Sequence, residues 1–130
     1  MSADLIEAAI AAMAKAYAPY SNFPVGAAVR GANGSIFAGC NVENAAYPQG
    51  CCAEASAISA MVMGGETRVV EVAVAGKGDA LVTPCGGCRQ RLREFAADDL
   101  VVHICGPKGL RRTVTLGELL PLSFGPDNLG

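Results

Sequence analysis

The chain has 130 residues, a length suited to one domain spanning residues 1–130. Its composition is 52% hydrophobic and 17% charged, which excludes a disordered chain, and its net charge of −2 disfavours a binder of phosphate backbones. No run approaches the roughly 18 apolar residues of a membrane span, and the acidic start Ser2-Ala3-Asp4 has no basic segment ahead of an apolar run, so neither a signal nor a transit peptide is expected.

Asp4 and Glu7 form a D-x-x-E pattern before an alanine-rich stretch, which predicts a capping box and a helix over Leu5–Ala16. Ala18-Pro19 ends it. Val25–Arg30 and Ile36–Cys40 read as strands joined through Asn33-Gly34, a hairpin signal. Pro48-Gln49-Gly50 is a loop. Cys52–Met63 predicts a helix stopped by Gly64-Gly65. The β-branched run Val69–Ala75 predicts a strand, Gly86–Ala97 a helix, and Leu100–Cys105 another strand. Thr115–Leu120 reads as a short helix broken by Pro121. This order of elements implies helices packed on a mixed sheet. With 16 glycines, many alanines and only 5% aromatic residues, the core should be thin, which favours stability from a metal or from subunit contacts.

The chemistry lies in the cysteines, at positions 40, 51, 52, 85, 88 and 105. Without an export signal they are expected to stay reduced. Cys85 and Cys88, at i and i+3 across a helix start, can hold one ion, and Cys52, opening the preceding helix, can supply a third thiolate. Three protein ligands leave one tetrahedral position open, the pattern of catalytic zinc rather than of a closed structural site. Two helix N-termini would bring positive field to a site whose formal charge is −1. Glu54 shares a helix face with Ile58 and Met61. A carboxylate on an apolar face two residues from a metal ligand is suited to move protons. A C-x-E followed by P-C-x-x-C matches the zinc nucleobase deaminases. A closed four-ligand zinc site and a thioredoxin-like redox pair are the competing readings, and the latter is disfavoured by the late position of its C-x-x-C.

The chain resembles the small cytidine deaminases over almost its whole length. The resemblance is carried by Ala16-Tyr17-Ala18-Pro19-Tyr20-Ser21-Asn22-Phe23 with Val25-Gly26-Ala27-Ala28, and by Gly39-Cys40-Asn41-Val42-Glu43-Asn44-Ala45. It continues in Cys52-Ala53-Glu54, Pro84-Cys85-Gly86-Gly87-Cys88-Arg89-Gln90 and Glu118-Leu119-Leu120-Pro121. It implies a three-layer α/β/α fold with a five-stranded mixed sheet, and one Zn2+ per subunit on Cys52, Cys85 and Cys88. It implies hydrolytic deamination of cytidine and 2'-deoxycytidine in pyrimidine salvage, with Glu54 passing protons from the zinc-activated water to the pyrimidine and its amine. It further implies a cytoplasmic homotetramer with shared active sites, acting on a free nucleoside, with no nucleic acid or membrane partner. Asn41 and Glu43 correspond to residues that hold the ribose 3'-hydroxyl, and Phe23 to the aromatic of the pyrimidine pocket. The backbone N–H of Ala53 corresponds to the donor to the pyrimidine O2. Ala45 and Tyr47 correspond to contacts between subunits near the sugar, and Phe124 to an aromatic from an adjacent subunit.

One position departs from the family. Many members carry an arginine after the catalytic glutamate, bonded to the zinc thiolates, and here that residue is Ala55. Two substitutes are expected: the helix ends alone, or a polar group such as Ser56 or Gln90 on a thiolate. Arg89, Arg91 and Arg93 read as solvated or interface salt-bridge residues, His103 as a structural residue, and Cys40, Cys51 and Cys105 as unligated. Two other functions fit the same zinc chemistry less well: deamination of a related cytosine nucleoside such as blasticidin S, and a non-catalytic zinc-stabilised binding module, which has no use for Glu54.

Overall fold

The computed structural model describes residues 2–130. Helix α1 spans Ser2–Met13, strand β1 Val25–Gly31, β2 Ile36–Cys40, helix α2 Ala53–Met63, β3 Val69–Gly76, helix α3 Gly86–Phe95, β4 Val101–Gly106, β5 Gly109–Thr115 and the short helix α4 Leu116–Leu119. The strands form one sheet in the order β2-β1-β3-β4-β5. β3 and β4 run parallel, joined by the crossover helix α3, and every other neighbouring pair is antiparallel.

Strand alternation sorts the core into two layers. Ala28, Ala73, Ala75 and Cys105 face α1, packing on Leu5 and Ala9. Their neighbours Ala27, Val29, Val72, Val74, Val102 and Ile104 face α2 and α3, meeting Ala57, Met61 and Leu92. The result is the three-layer arrangement with a five-stranded mixed sheet. Among the described residues no aromatic is fully buried; the largest buried side chains are Leu5, Met61, Leu92, Ile104 and Leu116. Small residues let the layers approach closely. A Cβ on Gly26 would lie 2.0 Å from the Ala9 carbonyl oxygen, and one on Gly39 would lie 2.5 Å from the Ala57 nitrogen. Helices α1 and α2 therefore sit directly on the strand backbones.

Several expectations are corrected. α1 already includes Ser2, so Asp4 lies inside its first turn and cannot be its N-cap. There its carboxylate favours the positive helix end and pairs with Arg30 at 2.6 Å. The helix stops at Met13, not Ala16. A capping box does form, but at α4, between Thr115 and Glu118. β5 was not expected from its sequence. As an edge strand with Leu110, Arg111, Arg112 and Thr113 exposed, it lacks the apolar run that marks β3 and β4.

His103 belongs to the α1 face of the sheet, the side away from α2 and α3. Its Nε2 pairs with Glu71 at 2.5 Å and its Nδ1 with the Thr113 hydroxyl at 3.0 Å. Glu71 also accepts from the Ser2 hydroxyl and from Arg30. Burial pushes the Glu71 carboxyl up, but the hydrogen bonds from Ser2, His103 and Arg30 together outweigh it and hold it below the usual range.

Candidate active site

Two helix starts converge at the edge of the sheet where β1 begins and β3 ends, the edge at which Val25 pairs with Gly76. Cys52 is the N-cap of α2 and Cys85 the N-cap of α3, both with extended backbones. Cys88 lies one turn into α3, where it is fully buried. Short main-chain bridges bring the first helix start into place. Val42 pairs with Cys51 through two N–H···O bonds of 2.9 and 2.8 Å, and the Tyr17 N–H reaches the Asn41 carbonyl at 2.9 Å. Arg89 fixes the second. Its guanidinium donates to the Pro84 carbonyl, the Leu119 carbonyl and the Thr83 hydroxyl at 2.7, 2.8 and 3.0 Å, which braces the loop entering Cys85.

The ligand atoms of Cys52, Cys85 and Cys88 all lie within 4.8 Å of one another, and the Cys52 and Cys85 sulfurs are 3.9 Å apart. A tetrahedral zinc with Zn–S bonds of about 2.3 Å has an S···S edge of about 3.8 Å. Three soft donors at this spacing fit zinc. Burial pushes Cys52 and Cys88 up, and like charge from their neighbours adds to it. Burial acts the same way on Cys85, but the backbone N–H and thiol of Cys88 and the thiol of Cys52 draw it below the ordinary thiol value. A bound cation reverses this balance, because it favours the thiolates directly.

Glu54, in the first turn of α2, is only 4% exposed. Burial raises its carboxyl above the usual range; its own backbone N–H, the Cys88 side chain and the Arg91 charge pull the other way. A cleft of about 220 Å3 opens over it, lined by Phe23, Asn41, Cys52, Ala53, Glu54 and Cys85, with Val25, Val82 and Thr83 completing the wall. Val82 and Thr83 carried no motif that marked them, and Val25 stood in a resembling segment with no site role assigned to it. A groove of about 600 Å3 near Arg68 and Arg93 is larger, but it is lined by neither a thiol nor an imidazole. Ala53 is the first residue of α2, a position whose N–H has no partner within the helix.

The remaining candidates separate. The Asn41 side chain accepts from the Val25 N–H at 2.9 Å and donates to the Phe23 carbonyl at 3.0 Å, which leaves one amide N–H for a ligand. Glu43 faces a neighbouring cleft with Tyr20, Ser21 and Tyr47. Its carboxylate accepts from the Tyr20 and Ser21 N–H groups and from the Ser21 hydroxyl, and it is held below the usual range, chiefly by that hydroxyl. Asn41 and Glu43 thus also pin the loop that carries Phe23. Tyr47 packs edge-on against Tyr20 with ring centroids 6.1 Å apart, yet is 76% exposed. Ala45 and Phe124 are exposed and line neither cleft.

The substitutes expected for the missing arginine are not the ones present. Ser56 donates to the Cys40 carbonyl and touches Cys51, and Gln90 donates to the Phe124 carbonyl. Instead, Arg91 Nη1 donates to the Cys88 sulfur at 3.5 Å. Arg93 bonds Ser123 and Asp127. Thus only Arg93, of the three arginines on this helix, makes a side-chain salt bridge. The spacing of three between Cys88 and Arg91 was the available signal, since residues i and i+3 share a helix face.

Comparison with known proteins finds relatives over most of the chain. Residues 2–104 match the family described as the cytidine and deoxycytidylate deaminase zinc-binding region. A cytidine deaminase of Sporosarcina psychrophila is 40% identical over 115 residues, covering 88% of this chain and 85% of that protein. One from Mycobacterium tuberculosis is 40% identical over 119 residues, covering 91% and 85%. The crystal structure of cytidine deaminase from Burkholderia pseudomallei superposes with a TM-score of 0.89 at 43% identity, covering 95% of this chain and 99% of that one.

Proposed function

Because the chain belongs to the zinc-binding cytidine and deoxycytidylate deaminase family, we propose that it hydrolyses cytidine and 2'-deoxycytidine to uridine and 2'-deoxyuridine, releasing ammonia. The observation that carries this reading is the buried Glu54 beside three sulfurs within 4.8 Å of one another, in a cleft walled by Phe23. Cys52, Cys85 and Cys88 would hold a zinc ion, which when bound would supply Lewis acidity to the hydrolysis.

The protein's own groups do the rest. Phe23, Val25 and Val82 offer apolar surface to the pyrimidine ring, and the Ala53 N–H is available to its O2. Glu54 takes a proton from the attacking water and delivers it to N3 as oxygen adds to C4. It then passes the second proton to the amino group, the C4–N bond breaks and ammonia leaves. A carboxyl raised by burial against the pull of its own backbone N–H, the Cys88 side chain and the Arg91 charge is suited to both directions of transfer. The free amide N–H of Asn41, together with Glu43, serves the ribose hydroxyls.

A free nucleoside is the substrate, since no basic cluster or phosphate-cradling loop lines the cleft. Exposed Tyr20, Tyr47 and Phe124 support assembly into a homotetramer, in which Ala45 and Tyr47 meet a neighbour near the sugar and Phe124 enters an adjacent site. Among the described residues no helix is long and apolar enough to cross a membrane. A cytoplasmic role in pyrimidine salvage fits this chemistry.

The test follows the loss of cytosine absorbance with cytidine, CMP, blasticidin S and a cytosine-bearing oligonucleotide. Turnover should be fastest with cytidine. Glu54→Gln should keep its zinc and lose about 10²–10⁴-fold in turnover. Wild-type turnover in that variant would refute the role of Glu54.

A further inference from the structure

The ligands alone leave the metal centre unbalanced. Three thiolates against one divalent cation sum to −1, at a place where Cys88 is fully buried and Glu54, another anion, is close to it. Helix N-termini contribute only partial charges. One full positive charge reaches the cluster, the Arg91 guanidinium at 3.5 Å from the Cys88 sulfur.

Two features of α3 build this contact. Cys85, Cys88 and Arg91 recur every third residue, so one helix face presents two ligands and a cation together. Gly87 leaves the space the guanidinium occupies: a Cβ there would lie 3.3 Å from Arg91 Nη1, closer than ordinary contact. Neighbouring Arg89 and Arg93 are committed to the Thr83-Pro84 loop and to the C-terminal segment. Among the described residues, Arg91 is the one cationic side chain that donates to a ligand sulfur.

We propose that Arg91 is the charge-balancing and positioning residue of the metal centre, taking from α3 the role that Ala55 leaves empty on α2. Its hydrogen bond orients the Cys88 sulfur and draws electron density from it, so that a bound zinc is retained and remains a strong Lewis acid. The proposal rests on zinc binding by the cluster and is independent of which nucleoside is deaminated.

Three measurements on wild type, Arg91→Gln and Arg91→Lys test it: release of zinc to a chromophoric chelator, the sulfur-to-metal charge-transfer bands of the cobalt(II)-substituted protein, and thermal unfolding of the metal-stripped protein. Arg91→Gln should release zinc about 10–100-fold faster. Its cobalt bands should move to lower energy as Cys88 regains electron density, and its metal-stripped form should unfold as wild type does. Arg91→Lys should lie nearer to wild type. Wild-type release and an unshifted cobalt spectrum in Arg91→Gln would overturn the proposal while zinc binding stood. So would a lysine variant indistinguishable from the glutamine one, or a stability loss of equal size with and without metal. Failure of the wild type to take up zinc would overturn the underlying reading itself.

Discussion

Gly39 does not line the cleft over Glu54, yet substituting it should damage the metal centre. A methyl group there would lie 2.5 Å from the Ala57 nitrogen, 2.7 Å from Ser56 Cβ and 2.8 Å from the Ala53 carbonyl oxygen. Apolar contacts are comfortable at about 3.5–4.0 Å, so the first turn of α2 must retreat by roughly 1 Å. Backbone atoms are involved, and no rotamer change relieves them. The turn that moves carries Glu54 and follows directly on Cys52, whose sulfur is 3.9 Å from that of Cys85. Overpacking of this kind costs about 1–3 kcal/mol of stability, and a 1 Å misplacement of reacting groups costs on the order of 10²-fold in rate. Gly34→Ala is the matched control. Gly34 has φ +92 with open space around it, so alanine there is strained by about 1–2 kcal/mol without touching α2. Thermal unfolding, zinc release to a chelator and kcat/KM for cytidine would be measured for both variants. Both should unfold earlier, and only Gly39→Ala should also lose zinc faster and turn over more slowly. Equal zinc retention in the two variants would refute the link between the Gly39 contact and the site.

Other outcomes follow from the polar groups. Glu71 is held below its ordinary value in the folded chain. Its contribution to stability is therefore present above the unfolded pKa and is lost as pH falls through the folded one. Urea unfolding between about pH 7 and pH 3 should show a shallower acid decline in Glu71→Gln than in wild type, and identical slopes would refute the assignment. Cys105 is buried and its thiol is pushed up to about 11, whereas Cys51 is exposed. Iodoacetamide at about pH 8 should label Cys51 in the folded protein and reach Cys105 only on unfolding, as read by peptide mass spectrometry. Early labelling of Cys105 would contradict its burial.

Local chemistry made much of this protein legible in its order of residues. The helix starts at Cys52 and Cys85, the hairpin at Asn33-Gly34 and the buried strands all rest on short-range spacing, and a metal motif is itself a spacing. Those signals also placed Glu54 on an inward face, because helical periodicity acts within two turns. Tertiary structure decided what depends on which surfaces meet. β5 becomes a strand because β4 offers it an edge, not because its own residues demand one. His103 lies on the α1 side of the sheet because strand register pairs it with Glu71 and Thr113. Asn41 and Glu43 commit part of their polar capacity to the loop of Phe23, a contact between segments about twenty residues apart. Arg91 could be placed on the face of Cys88 by counting, but only the packing of α3 against the thiol cluster distinguishes a buried sulfur from open water as the partner of its charge.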